Sequence, residues 1–350
     1  MNRREFLTMT AAATASLALP RLASAKSKSM SQPIIPPRLK PGDKVALVAP
    51  ASPIGKPEDL DSFLIRTREL GLEPVQGPNL EKEFGFFGGT DQERADDLNW
   101  AFQNPEIKAV LPIRGGYGCT RILHLLDYQA IKQNPKILCG YSDITALLIA
   151  IFQECNLITY HGPVLASSIS DFADSYFKPT LFGPEPNKDF INPTPETLSP
   201  EDHTKVDPAY AIQSLGTNLK PAHGPIVGGN LSLIAAMCGT PYQIRGKGKI
   251  IFFEDISEKP YRIDRMLTQL IHAGCFKDAA GIICGQFTDC DPKEPEPNEW
   301  LVADVIKDRL TPLNLPTITG TAIGHIKHKW TIPVGATVEI NPTTGKIHLP

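Results

Sequence analysis

Serine, carboxylate and histidine side chains that could share acyl-transfer chemistry occur at a few places in the sequence, each at the end of an apolar run. Ser142 lies in Gly140-Tyr141-Ser142-Asp143-Ile144, between the apolar segment 136–139 and a long apolar helical pattern. A serine on a sharp strand-to-helix turn is held clear of the sheet, beside helix N–H groups that can stabilise an oxyanion. The same position also suits a plain helix cap by Ser142 or Asp143, and Ile144 occupies the second glycine position of the G-x-S-x-G pattern. Glu254 and Asp255 end the run 249–253, where a carboxylate can orient a histidine or simply face solvent. His325 follows the apolar segment ending at Ile323, and histidine is the side chain most often used as a base. His161, in Tyr160-His161-Gly162-Pro163, competes for that role, and either ring can equally be a structural histidine. Arg114-Gly115-Gly116-Tyr117-Gly118 allows the backbone to approach a ligand closely. It also reads as a tight turn, since it has neither G-x-G-x-x-G nor a P-loop lysine.

The elements that must position these residues alternate. Residues 44–49 form a short apolar run bounded by Pro41-Gly42 and Pro50, a first buried strand. A helical pattern over 58–70, strands at 73–76 and 108–113, a polar helix over 91–103, and a strand at 136–139 ahead of a helix over 144–152 predict a largely parallel sheet with helices on both faces. Ligands collect at the carboxyl ends of such strands, where the candidate residues fall. Between 168 and 208 periodicity gives way to Pro, Asp, Thr and Asn, as expected of a linker. A second organised region opens at Gly228-Gly229-Asn230. It continues through a helix at 231–237, strands at 249–253 and 280–284 with a helix between them, the acidic loop 289–299 and β-type segments near the C-terminus. The expected architecture is α/β, with an N-terminal parallel-sheet domain over 39–168, a linker over 169–209 and a smaller C-terminal α/β domain over 210–350.

The first residues place Arg3 and Arg4 before Glu5-Phe6-Leu7, then a small apolar run, then Ala23-Ser24-Ala25. This is the pattern of an export signal of twin-arginine type over 1–25, predicting a periplasmic protein with no stable membrane insertion after cleavage. A formal charge of -3 without basic clusters argues against nucleic acid as partner. The seven cysteines are an odd number without C-x-x-C spacing, and Cys139, Cys155, Cys238 and Cys284, inside apolar runs, read as core residues rather than a zinc site.

Taken together, the segments 39–50, Arg114–Gly118, 135–147, His161-Gly162-Pro163, 228–232, 239–241, Phe253-Glu254-Asp255 and Gly324-His325 resemble the LD-carboxypeptidases, a family that includes the microcin C self-immunity peptidases. The resemblance spans nearly all of the chain after the signal, in order. It implies a flavodoxin- or amidotransferase-like first domain and an active site at the interface with the second. It also implies a serine peptidase with Ser142 as nucleophile, His325 as base and Glu254 holding the imidazole, with no metal or other cofactor. Asp143, Gly115, Gly116 and Arg114 would serve the oxyanion and the substrate.

The substrate implied is a muropeptide tetrapeptide, cut between the L-centre of a diamino acid and a terminal D-alanine, by a homodimer. Export departs from the cytoplasmic recycling setting of many relatives and points to trimming of wall or scavenged fragments. The loops 172–207 and 289–299 are expected to set specificity. Two other readings remain open at this level, a hydrolase of peptide-nucleotides or other acylated small molecules and a non-catalytic exported binding protein. An amidotransferase is disfavoured because serine occupies the turn.

Overall fold

The computed structural model describes residues 32–183, 188–198 and 210–350; the expected export signal lies outside them. Five strands of the first sheet run parallel: β1 (Lys44–Val48), β2 (Glu73–Gln76), β3 (Ile107–Pro112), β4 (Ile137–Gly140) and β5 (Thr159–His161). Strand β1 shows why. Its residues from Val45 to Val48 are all inaccessible to solvent, and alternate side chains enter different layers, Val45 and Leu47 one apolar cluster and Ala46 and Val48 the other. A strand buried on both faces needs a continuous apolar run.

The helix Thr145–Cys155 is apolar all round, and all its residues except Gln153 and Glu154 are buried, as a helix walled in on every side must be. It ends at Asn156 in the left-handed conformation.

The second sheet is built from β6 (Lys188–Asp189), β7 (Gln213–Leu215), β8 (Ala222–Asn230), β9 (Ile250–Ile256), β10 (Gly281–Thr288) and β11 (Thr317–Thr319), together with β13 (Thr337–Asn341) and β14 (Lys346–Leu349). Its order is β6-β14-β13-β8-β9-β10-β11-β7, with β8, β9, β10 and β11 parallel and the outer strands antiparallel. The remaining strand, β12 (Ile332–Val334), pairs antiparallel with β5, so a late segment completes the edge of the first sheet, which has six strands.

The two sheets share a hydrophobic core. One cluster joins Val48, Phe102 and Leu138 of the first half to Ile226, Phe252 and Ile282 of the second, with the helix Thr145–Cys155 between them. The seam is close at Gly229. Its φ is 147°, and a Cβ there would lie 2.5 Å from the Thr145 side chain. The neighbouring Asn230 N–H donates to Thr145 Oγ1 at 3.0 Å. This approach places the end of β8, whose Asn230 pairs with Glu254 of β9, beside the helix that follows the Ser142 turn.

Within the stretch read as a linker, Asp171–Phe182 is a helix. Ser170 caps it by accepting from the Ala173 N–H, and Phe172, Tyr176, Phe177 and Leu181 are buried. Pro179 and the acidic first turn obscure that apolar face in the sequence.

Candidate active site

Ser142 follows β4 with φ 62°. A non-glycine residue in the left-handed region stores on the order of 1–3 kcal/mol of strain, held only where its surroundings over-determine it. Here they do: Ile144 is buried and its N–H donates to Tyr141 O, while the buried Asp143 carboxylate accepts from the Cys119 N–H at 2.7 Å. Asp143 thus ties the Ser142 turn to the end of the 114–118 loop. That loop presses on Ser142 itself, since a Cβ on Gly115 would sit 2.9 Å from Ser142 Cβ and 3.2 Å from its Oγ. Gly116 faces elsewhere, with its open side against Ser52. Arg114 is exposed at the start of the loop.

Glu254 lies in β9 with no solvent exposure, and its Oε2 is 2.7 Å from His325 Nδ1. Burial would push this carboxyl up, but the His325 hydrogen bond and the charges around it outweigh burial and hold it below the ordinary range. An ionised carboxylate only accepts, so Nδ1–H donates to it, and in the neutral imidazole the lone pair is on Nε2. His325 is therefore in the tautomer of a base.

Several contacts fix the histidine. Gln286 N–H donates to Ile323 O, and Thr288 Oγ1 donates to His325 O at 3.2 Å, pinning the loop to β10. Trp330 N–H closes the loop onto Ala322 O. Gly324 has φ 136°, and a Cβ there would lie 3.1 Å from Glu254 Oε2, so only glycine lets the loop pass. The adjacent Asp255 locks the strand end, accepting from Asn230 Nδ2, from Ser232 N–H and Oγ, and from Ile256 N–H.

The His325 ring lies 4.8 Å from the ring of Tyr141, the residue before Ser142. Glu254 and His325 therefore meet beside the residue that precedes Ser142. Ser142 Oγ makes no hydrogen bond of 3.5 Å or less to a described residue, so the serine–histidine contact is not closed; such bonds often tighten only with substrate.

The competing histidine has a different character. His161 is 2% exposed and neither ring nitrogen has a hydrogen-bond partner among the described residues. Burial drives it down to about 4, so it is neutral at pH 7 and has no carboxylate to orient it. Cys139 is equally unsuited to a nucleophile's role, buried in β4 with its thiol pushed far up by desolvation.

Two residues that sequence reasoning did not single out also belong here. Tyr141 packs on His325, and Lys329 places its Nζ 4.0 Å from the centre of the Tyr141 ring. The motif containing Tyr141 was visible, but nothing in the spacing of Lys329 marked it. Past the ends of β9 and β10, a cavity of about 490 Å³ is lined by Tyr261, Asp264, Asp289, Asp291 and Trp300, among others. The acidic loop expected to set specificity supplies part of its wall.

Comparison with known proteins identifies the family. Residues 45–162 match the family model for the LD-carboxypeptidase N-terminal domain and residues 223–340 that for the C-terminal domain. The chain is 38% identical over 309 residues to the "Probable murein peptide carboxypeptidase" of Bacillus subtilis (strain 168), covering 87% of this chain and 91% of that one. It is 33% identical over 256 residues to the murein tetrapeptide carboxypeptidase of Pseudomonas aeruginosa, covering 72% and 78%. Among solved structures, muramoyltetrapeptide carboxypeptidase from Oxalobacter formigenes superposes with a TM-score of 0.72 at 29% identity, covering 87% of this chain and 97% of that one. The microcin C7 self immunity protein MccF in its wild-type apo state gives 0.77 at 26%, covering 91% and 98%. The chain belongs to the LD-carboxypeptidase family.

Proposed function

We propose that this hydrolase is a serine peptidase that releases the terminal D-alanine from peptidoglycan tetrapeptides by cutting the bond after the L-centre of the diamino acid. The observation that carries the reading is the buried Glu254–His325 hydrogen bond at 2.7 Å, set beside the strained turn of Ser142. His325 Nε2 takes the Ser142 hydroxyl proton as Oγ attacks the carbonyl, and Glu254 stabilises the imidazolium that forms. The helix-start N–H of Asp143 and an amide of the Gly115-Gly116 turn face the developing oxyanion. The proton passes from His325 to the departing amine, leaving an acyl-serine that water hydrolyses with His325 again as base.

The relatives described as murein carboxypeptidases support a muropeptide substrate. A second reading, hydrolysis of an acylated nucleotide, draws support from the likeness to MccF, one of whose structures holds aspartyl sulfamoyl adenosine. Export through the twin-arginine route and a homodimeric state complete the proposal. The arginine pair supports export, which predicts that Arg3→Lys with Arg4→Lys keeps the protein in the cytoplasmic fraction.

The deciding experiment follows free D-alanine from a tetrapeptide ending in L-diamino acid–D-alanine. Release by the unmodified chain and its loss in Ser142→Ala establish reaction and nucleophile together. Release by both proteins removes Ser142 from the mechanism. Release by neither, with cleavage of an acylated nucleotide instead, favours the second reading.

A further inference from the structure

The active site contains a positive charge that the triad does not use. Lys329 is only 5% exposed, yet its ammonium has no hydrogen bond and no ion pair with any described residue. What it does have is the face of Tyr141 at 4.0 Å. An aromatic face replaces only part of the shell of acceptors that an ammonium takes, which leaves room for an acceptor from a ligand. The nearby anion does not complete it either. Glu254 feels the charge of Lys329 but gives its Oε2 to His325, while its Oε1 has no partner.

The position of this charge is specific. Tyr141 precedes Ser142 in the chain, and its ring contacts both Lys329 and His325. The ammonium and the imidazole are thus mounted on one aromatic side chain, beside the nucleophile. Lys329 is carried on the same loop as His325, whose closure by Trp330 N–H to Ala322 O fixes both. Arg114, the other cation at the turn, is exposed, so water screens it and it discriminates poorly.

We propose that Lys329 is the receptor for a carboxylate of the substrate. The inference rests on the peptidase reading above and deepens it: an ammonium held on an aromatic face beside His325, with no acceptor among the described residues, favours a ligand that brings its own negative charge to the scissile bond. Two carboxylates have this chemistry, the free terminus of the D-residue that leaves and the second carboxylate of a diamino acid that carries one. A terminal carboxylate bound here would make the enzyme an exopeptidase, because a continuing chain would place a neutral amide against the ammonium.

The test uses the mature chain carrying Ser142→Ala, so that binding is read without turnover, and measures affinity by calorimetry for three peptides. These are a tetrapeptide ending L-lysine–D-alanine, its C-terminal amide, and the analogue whose diamino acid has a second carboxylate. The free acid should bind about tenfold or more tighter than the amide, and Lys329→Met should bring that ratio close to one while leaving the amide's affinity unchanged. Collapse instead of the preference for the second carboxylate assigns Lys329 to the diamino acid. Lys329→Arg, which keeps the charge and the aromatic contact, should retain most of the preference and guards against a folding defect in the methionine variant. Equal weakening of all three peptides by Lys329→Met, or no charge preference in the parent, overturns the proposal. D-Alanine release by the unmodified chain reports separately on the peptidase reading.

Discussion

The end of β5 and the loop after Ile323 each present a histidine to the same small volume, and their difference shows what makes a base. His325 is hydrogen-bonded to a buried carboxylate that sets its tautomer. His161 is sealed in, without a partner on either nitrogen, and driven to about 4 by desolvation. Both sense the Glu254 charge, but proximity does not confer the role. A base needs a carboxylate to hold Nδ1–H and an open path from Nε2 to the nucleophile. His161 has instead the surroundings of a wall, edge-on to Phe252 at 5.3 Å between ring centres.

The comparison can be broken in activity first. His325→Ala should lower kcat by about 10⁴–10⁶-fold with little change in secondary structure. Glu254→Gln keeps the size of the side chain but removes the charge that fixes the tautomer, and should cost on the order of 10³–10⁴-fold in kcat. His161→Phe, by contrast, should change kcat/KM by less than about tenfold, a difference under about 1.4 kcal/mol. If His161→Phe proved as damaging as His325→Ala in a properly folded protein, the assignment of roles would be reversed.

Stability against pH sharpens the same contrast. His161 has a folded value near 4 against an ordinary 6.5, so between those values the unfolded chain binds a proton that the folded one refuses. Stability is therefore unaffected by His161 above about pH 6.5 and falls as the pH drops toward 4, by about 3 kcal/mol in total. In His161→Phe that part of the acid sensitivity should disappear from urea midpoints measured between pH 7 and 4. Glu254 acts at lower pH. Its depressed value contributes stability above the ordinary carboxylate range, which is lost as the pH falls through its folded value.

Much of the fold was legible because burial writes itself into local pattern. The apolar run of β1, the uniformly apolar helix Thr145–Cys155 and the helix Pro260–His272, with Ile263, Leu267 and Leu270 buried, stand close to where the spacing puts them. Other elements escaped for physical reasons. The helix Asp171–Phe182 contains a proline and opens on acids. Strand β12 has three residues, too few for a period to emerge, and its pairing with β5 joins segments far apart in the chain.

The site divides in the same way. By itself the sequence determined that a serine follows a buried strand and opens an apolar helix, that glycines precede it on a neighbouring loop, and that the ordered set of motifs resembles one family. These are properties of short segments, fixed by periodicity and by the backbone freedom of glycine. The resemblance implied the pairing of Glu254 with His325, but spacing left it open, and only the tertiary structure makes it, because the two are 71 positions apart and come together through the packing of β9, β10 and the loop that Trp330 closes. It alone revealed Lys329, since an unpaired charge is defined by what surrounds it in space and leaves no period in the chain.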